Sequence, residues 1–228
     1  MSNDIIGRQF DNLVGNYAEI TAKQHAFFDA NTSYMQQYKI ALAKKLVPSP
    51  DTILDYGCGI GLLQRFIPDY FPDALVSATD VSEESMAQVR LHYPAVHVVS
   101  CHEAMLAQYD LIMVSCVMHH VLTESRRQLV SELLSVLNPG GSLLFFEHNP
   151  WNPVTRLMVS TCPIDEGAIL MRRAELRQLV DSCGSDVELR SGYTLFFPGF
   201  LKSMRPLENK LQWLPLGGQY FVLATRKK

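Results

Sequence analysis

Two short stretches, Val117-Met118-His119-His120-Val121 and Phe146-Glu147-His148, bring together four side chains able to hold or move a proton. Histidine titrates near neutral pH, so these residues suit general acid–base work on a bound molecule. His120 and His148 are the catalytic candidates, because each stands just past an apolar run that reads as a buried strand. The bland alternative is that each histidine closes a turn and does nothing more. His119, His120 and His148 could in principle ligate a metal, but no ligand spacing or supporting carboxylate pattern accompanies them. The sequence therefore gives no metal site.

A second group lies earlier, in Thr52-Ile53-Leu54-Asp55-Tyr56-Gly57-Cys58-Gly59-Ile60-Gly61-Leu62-Leu63. A short apolar run breaks into three glycines spaced by single residues, then resumes with helical periodicity. Such a turn takes dihedrals that only glycine adopts cheaply and lets a ligand come close to the backbone. It would point backbone N–H groups and a helix N-terminus into a crevice, with Asp55 at the strand tip. The spacing is G-x-G-x-G, not the G-x-G-x-x-G of dinucleotide binders. Val76-Ser77-Ala78-Thr79-Asp80-Val81-Ser82 then reads as another strand ending in an acid, with Ser82-Glu83-Glu84-Ser85 starting a helix. Asp80 follows Gly57 at about the distance that brings an acid to ribose hydroxyls in a βαβ unit. A plain tight strand-to-helix turn is the competing reading.

Positioning these groups requires alternating strands and helices. Residues 8–46 have helical periodicity, ended by Pro48-Ser49-Pro50. The pattern predicts a helix over Leu62 to Ile67, ended or kinked at Pro68, and a helix from Ser82 to Tyr93. Strands are expected at His97 to Ser100 and Asp110 to Val114, then a helix from Ser125 to Leu137. Asn138-Pro139-Gly140-Gly141 reads as its stop and the turn into a fifth strand, Ser142 to Phe146. Residues 147–172 are too long and too rich in polar and aromatic residues for a simple connection. A helix from Arg173 to Cys183, capped by Gly184, precedes strands at Val187 to Phe197 and Gly218 to Thr225.

Together the glycine turn and the acid after strand two resemble the class I S-adenosylmethionine-dependent methyltransferases, and within them the ubiquinone and menaquinone methyltransferases. The resemblance covers residues 8–148 by motif. It implies a doubly wound, seven-stranded, mostly parallel sheet with the last strand antiparallel, and a helical lid over residues 1–47. The core would span 48–147, a substrate-side insertion 148–172, and a last helix and strands 173–228, all as one domain. S-adenosylmethionine is the implied cofactor. Gly57, Cys58, Gly59 and Gly61 would cradle it, Asp55 would support the turn, and Asp80 with Val81 would meet the ribose. Tyr17 resembles the family's entry-segment tyrosine, which contacts cofactor or substrate. Ser115 and Cys116 would lie beside the methionine part. The family's usual acid at the adenine amino group has no counterpart. Cys101-His102-Glu103 stands there, so either Glu103 substitutes, with His102 beside it, or backbone serves.

Composition bounds the rest. The 228 residues are 47% hydrophobic and 19% charged, enough for one packed α/β domain. A net charge of −3 offers no electrostatic footprint for nucleic acid. The five cysteines show neither paired spacing nor C-x-x-C. The amino terminus lacks a signal peptide's pattern, and no apolar run approaches about 18 residues, so a cytoplasmic enzyme is expected. Residues 195–216 interleave Phe196, Phe197, Phe200, Leu201, Trp213 and Leu216 with Lys202, Arg205 and Lys210. They suit a small-molecule acceptor with an apolar tail, or a transient membrane or lipid contact, unless they are core or a dimer interface. Monomer and homodimer both remain open. A nicotinamide-dependent oxidoreductase would use the same fold edge, but the glycine spacing disfavours it. A non-catalytic S-adenosylmethionine-binding protein is the third reading.

Overall fold

A computed structural model describes Gly7, Asp11, Gly15, residues 33–184 and residues 186–228. Tyr17 and most of the expected lid lie outside the described residues. From Tyr34 the order is α1 (Tyr34–Leu46), β1 (Thr52–Tyr56), α2 (Ile67–Tyr70), β2 (Leu75–Thr79), α3 (Glu83–His92), β3 (His97–Val98), α4 (Cys101–Ala104) and β4 (Tyr109–Ser115). The chain continues through α5 (Arg126–Ser135), β5 (Leu137–His148), α6 (Pro153–Ser160), a 3-10 turn (Pro163–Asp165) and α7 (Arg173–Cys183). It ends with β6 (Val187–Thr194), a 3-10 stretch (Gly199–Leu207), α8 (Glu208–Leu211) and β7 (Gln219–Arg226).

The sheet has seven strands in the order β3-β2-β1-β4-β5-β7-β6. The first five pair parallel, and β7 runs antiparallel to both β5 and β6. Period-two alternation in the strands divides the core between two faces. Leu54, Ile112, Val114 and Phe145 pack with Val130, Leu133, Leu176 and Val180 of α5 and α7. Ile53, Leu111, Met113, Leu144 and Phe146 pack on the other face against Ile40 and Ala43 of α1. The order reverses direction between β1 and β4, and open α/β sheets bind ligands at such a switch point.

Two sequence expectations are corrected. Residues 59–66 form successive turns, with Gly61 N–H donating to the Cys58 carbonyl and Gln64 N–H to that of Gly61. The helix begins only at Ile67, so Pro68 opens it instead of closing it. In the first helical turn the missing proline N–H leaves no bond unmade. Strand five also begins earlier than expected, at Leu137. Tyr109 pairs with Leu137 but Leu111 with Ser142, so Asn138 to Gly141 form a bulge inside the pairing. Gly140 takes φ +80° there, and Gly141 packs against the Tyr109 carbonyl.

The insertion and the last connection are stitched together. Asn149 donates to the carbonyls of Pro215 and Gly217, and Thr155 to that of Gly218. Buried Glu208 accepts the N–H groups of Leu195, Phe196 and Phe197 and the Tyr34 hydroxyl of α1.

Candidate functional site

At the carboxyl end of β1, Gly57, Gly59 and Gly61 have φ of +73°, +52° and +82°. A side chain at Gly57 would run into Val117, and one at Gly61 would meet the Tyr93 ring at 2.9 Å. The dihedrals and the close packing therefore require glycine. The sequence suggested loop amides aimed at a ligand; three of them are engaged within the protein. Gly57 and Cys58 N–H donate to the Thr79 carbonyl at 2.8 and 3.0 Å, and Gly59 N–H donates to Asp80 Oδ2 at 2.8 Å. The loop is clamped onto β2 and its acid.

Asp80 also accepts Ser82 N–H on Oδ1 at 2.9 Å, so both oxygens are held in place at the cavity wall. Burial raises its pKa, while the three backbone N–H groups around it oppose that rise. Asp55 is only 1% exposed; Gln64 donates to Oδ2 at 2.8 Å, and Oδ1 has no hydrogen-bond partner among the described residues. Burial pushes its pKa up to about 7. Cys58, Val81 and Cys101 line the same space. His102 and Glu103 do not line it. Glu103 accepts the Ser100 N–H and hydroxyl at 2.9 and 2.8 Å as the capping box of α4, and both side chains face solvent.

At the end of β4 the chain turns through Cys116, a non-glycine residue at φ +60°, whose N–H donates to the Phe146 carbonyl at 2.8 Å. Lys39 reaches in from α1 and donates to Ser115 Oγ at 2.8 Å and Cys116 Sγ at 3.4 Å. Burial pushes the Cys116 thiol up, but Lys39 and His148 outweigh it and hold the thiol at about 6. Sequence reasoning missed Lys39. It shares a helix face with Gln36, Ile40 and Ala43, and a charge on an apolar stripe was the available signal.

The four proton-bearing residues meet beside it. His119 Nδ1 lies 2.6 Å from Glu147 Oε2, and Glu147 Oε1 accepts the Val117 and Met118 N–H groups at 3.0 and 2.8 Å. Asp165, also missed, arrives on the turn before Ile169, whose N–H donates to the His119 carbonyl. Its Oδ1 stands 3.4 Å from His119 Nε2 and 3.5 Å from His120 Nε2. Burial opposes charge on His119, yet Glu147 and Asp165 raise its pKa to about 10. Burial lowers that of His120. For His148 burial acts downward but the neighbouring Cys116 wins and raises it. The rings of His119 and His148 are 5.1 Å apart.

A single cavity of about 370 Å³ joins these groups. Asp55, Gly57, Cys58, Gly59, Asp80, Val81, Ser115, Cys116, His120 and His148 all line it, together with Lys39 and Asp165. Gly61 and His119 do not line it. The volume falls within the range for small-molecule and cofactor sites, about 300–1,000 Å³. An orphaned carboxylate oxygen on Asp55, two fixed acidic oxygens on Asp80 and a wall closed by glycines fit an adenosyl amino acid.

Residues 53–141 match the family model described as a methyltransferase domain. The chain is 27% identical over 123 residues to the malonyl-[acyl-carrier protein] O-methyltransferase of Anoxybacillus flavithermus, covering 52% of this chain and 47% of that one. To the trans-aconitate 2-methyltransferase of Variovorax paradoxus it is 31% identical over 122 residues, covering 51% and 46%. It thus spans about half the length of the curated relatives it matches. Among solved structures, an S-adenosylmethionine-dependent methyltransferase from Thermotoga maritima superposes with a TM-score of 0.69 at 17% identity, over 98% of this chain and 100% of that one, a likeness of fold. Strand order, glycine turn and these matches agree in supporting a class I S-adenosylmethionine-dependent methyltransferase, with the methyltransferase domain itself matched over residues 53–141.

Proposed function

We propose that the chain transfers a methyl group from S-adenosylmethionine to a small-molecule acceptor. The carrying observation is the continuity of the cavity from Asp80 and the glycine turn to His120 and His148. Asp80 would accept the ribose hydroxyls, Asp55 Oδ1 would face the cationic amino-acid end, and Ser115 and Cys116 would flank the methionine part. The bound cofactor supplies an electrophilic methyl on a positive sulfur. The chain's share is chiefly alignment, worth about 7–11 kcal/mol of barrier when attack geometry is held. His120, kept neutral by burial, suits removal of an acceptor proton, a further factor of about 10²–10⁴ where one must leave. His148 suits orienting the acceptor.

Binding of S-adenosylhomocysteine, followed as a rise in Tm and by calorimetry, tests the reading. NAD should give no shift. A shift with NAD alone would transfer the chain to the oxidoreductase reading, and binding without turnover on any acceptor to the non-catalytic one. Affinity should also depend on pH. Below about 7 Asp55 holds a proton and cannot attract the amino group, so affinity should fall up to about tenfold per unit as pH drops from 7. Asp55→Asn should flatten that profile; an unchanged slope would remove Asp55 from the cofactor's amino end.

The acceptor is read as amphipathic. Phe200, Trp213 and Leu216 are 77%, 71% and 59% exposed, and Trp151 of the insertion 60%. Lys202 and Lys210 fringe them at the surface. Such a surface suits an acceptor with an apolar tail or a shallow lipid contact. Flotation with anionic liposomes should carry the chain upward, and Phe200→Ser with Trp213→Ser should abolish it. Absence of flotation would return the acceptor to fully soluble molecules.

A further inference from the structure

We propose that His119, His120 and Asp165 form a binding site for one divalent transition-metal ion, of the zinc, nickel or iron class, at the acceptor end of the cavity. The three ligand atoms, His119 Nε2, His120 Nε2 and Asp165 Oδ1, all lie within 4.8 Å of one another. The two nitrogen-to-oxygen separations are 3.4 and 3.5 Å. Ligand bonds of about 2.0–2.2 Å place neighbouring ligand atoms about 3–3.5 Å apart, so a small rotation of the His120 ring completes the cluster.

An independent observation points the same way. His119 is 2% exposed and its Nε2 makes no hydrogen bond to any described residue, although it faces the cluster. Its other nitrogen is fixed by Glu147, which two backbone N–H groups fix in turn. A carboxylate behind an imidazole is the support that metal-ligating histidines characteristically have. Two imidazoles and one carboxylate favour zinc, nickel or iron over the hard ions magnesium and calcium.

His120 and Asp165 line the cavity, so three protein ligands on one side leave coordination positions facing the acceptor. That is the layout of a site that takes an outside oxygen ligand. A role in holding an acceptor oxygen rests on the methyl-transfer reading, whereas metal binding itself does not. The competing use of the same atoms is a doubly protonated His119 between two carboxylates, which needs no ion.

The test uses the full chain, stripped with a chelator and titrated with zinc by calorimetry and with cobalt(II) by visible absorption, magnesium serving as control. One equivalent of zinc should bind and raise Tm, and cobalt should give the ligand-field bands of a nitrogen–oxygen site. Asp165→Asn and His120→Ala should each weaken zinc binding at least about tenfold, and Glu147→Gln by about 10–100-fold. No uptake by the folded wild type would overturn the proposal. So would uptake that neither Asp165→Asn nor His120→Ala alters, which would place the ion on surface histidines such as His92 or His102. S-adenosylhomocysteine binding, measured on the same sample, separates failure of this site from failure of the proposed function.

Discussion

Glu147→Ala should destabilise the chain by about 3–5 kcal/mol, the usual result of removing one partner from a buried ion pair. Glu147 is 1% exposed and serves three groups at once: His119 Nδ1 at 2.6 Å and the Val117 and Met118 N–H groups at 3.0 and 2.8 Å. Alanine would leave the buried His119 Nδ1 and two amides without their acceptor in the core. Because a domain's whole stability is about 5–15 kcal/mol, the loss would consume a large share of it. Glu147→Gln retains one carbonyl oxygen for the amides and should lose less. Urea unfolding of the three proteins measures this. An alanine variant within about 1 kcal/mol of wild type would mean that His119 sheds its proton and relaxes, and that the buried pair contributes little.

Asp80→Ala should weaken S-adenosylhomocysteine binding by about 1.5–3 kcal/mol, the range for hydrogen bonds to a charged group, or roughly 10–150-fold. The geometry complicates the usual interpretation, because the Asp80 oxygens also hold Gly59 N–H and Ser82 N–H at 2.8 and 2.9 Å. The alanine variant therefore removes a ligand contact and loosens the glycine turn together. Asp80→Asn distinguishes them, since its amide oxygen can face Gly59 N–H and keep the turn contact and the shape while the charge and the acceptor at Ser82 are lost. If the asparagine variant binds as the wild type does, Asp80 acts on the turn alone. Calorimetry of both variants, beside their Tm values, decides the matter.

The legible part of the molecule was the part governed by short-range rules. Strand alternation, the Ser82 cap and the glycine turn each depend on a handful of consecutive residues. From them followed the places of most elements; the seven-stranded sheet with an antiparallel end and the cofactor class came from the family resemblance that these motifs carry. Strand five escaped because Asn138-Pro139-Gly140-Gly141 has turn composition, and only pairing with β4 reveals it as a bulge. Pro68 is ambiguous by nature, ending one helix or opening the next. Asp165 was illegible for a different reason: it acts through partners distant in sequence, so no local pattern marks it, whereas Lys39 left only the faint mark of a charge on an apolar helix stripe. Glu103 has the opposite character, since a local partner, Ser100, already engages its carboxylate.

Glu208 has a bearing on how the specificity of such a chain can be re-engineered. Its single carboxylate fastens Leu195, Phe196 and Phe197 to the start of α8 and touches Tyr34 of α1, the helix that also carries Lys39. The stretch from Leu195 to Leu216 is therefore no interchangeable cassette with ends anywhere convenient. A graft cut between Phe197 and Glu208 would discard the fastening while keeping what it fastens, leaving three buried or half-buried amides unmet. Junctions at Thr194 and Gly217, where both ends enter strands, carry Glu208 along with the residues it serves. Donor segments without an acid at that place would need Tyr34 and its neighbours on α1 exchanged too, making the smallest transferable unit two pieces of chain instead of one.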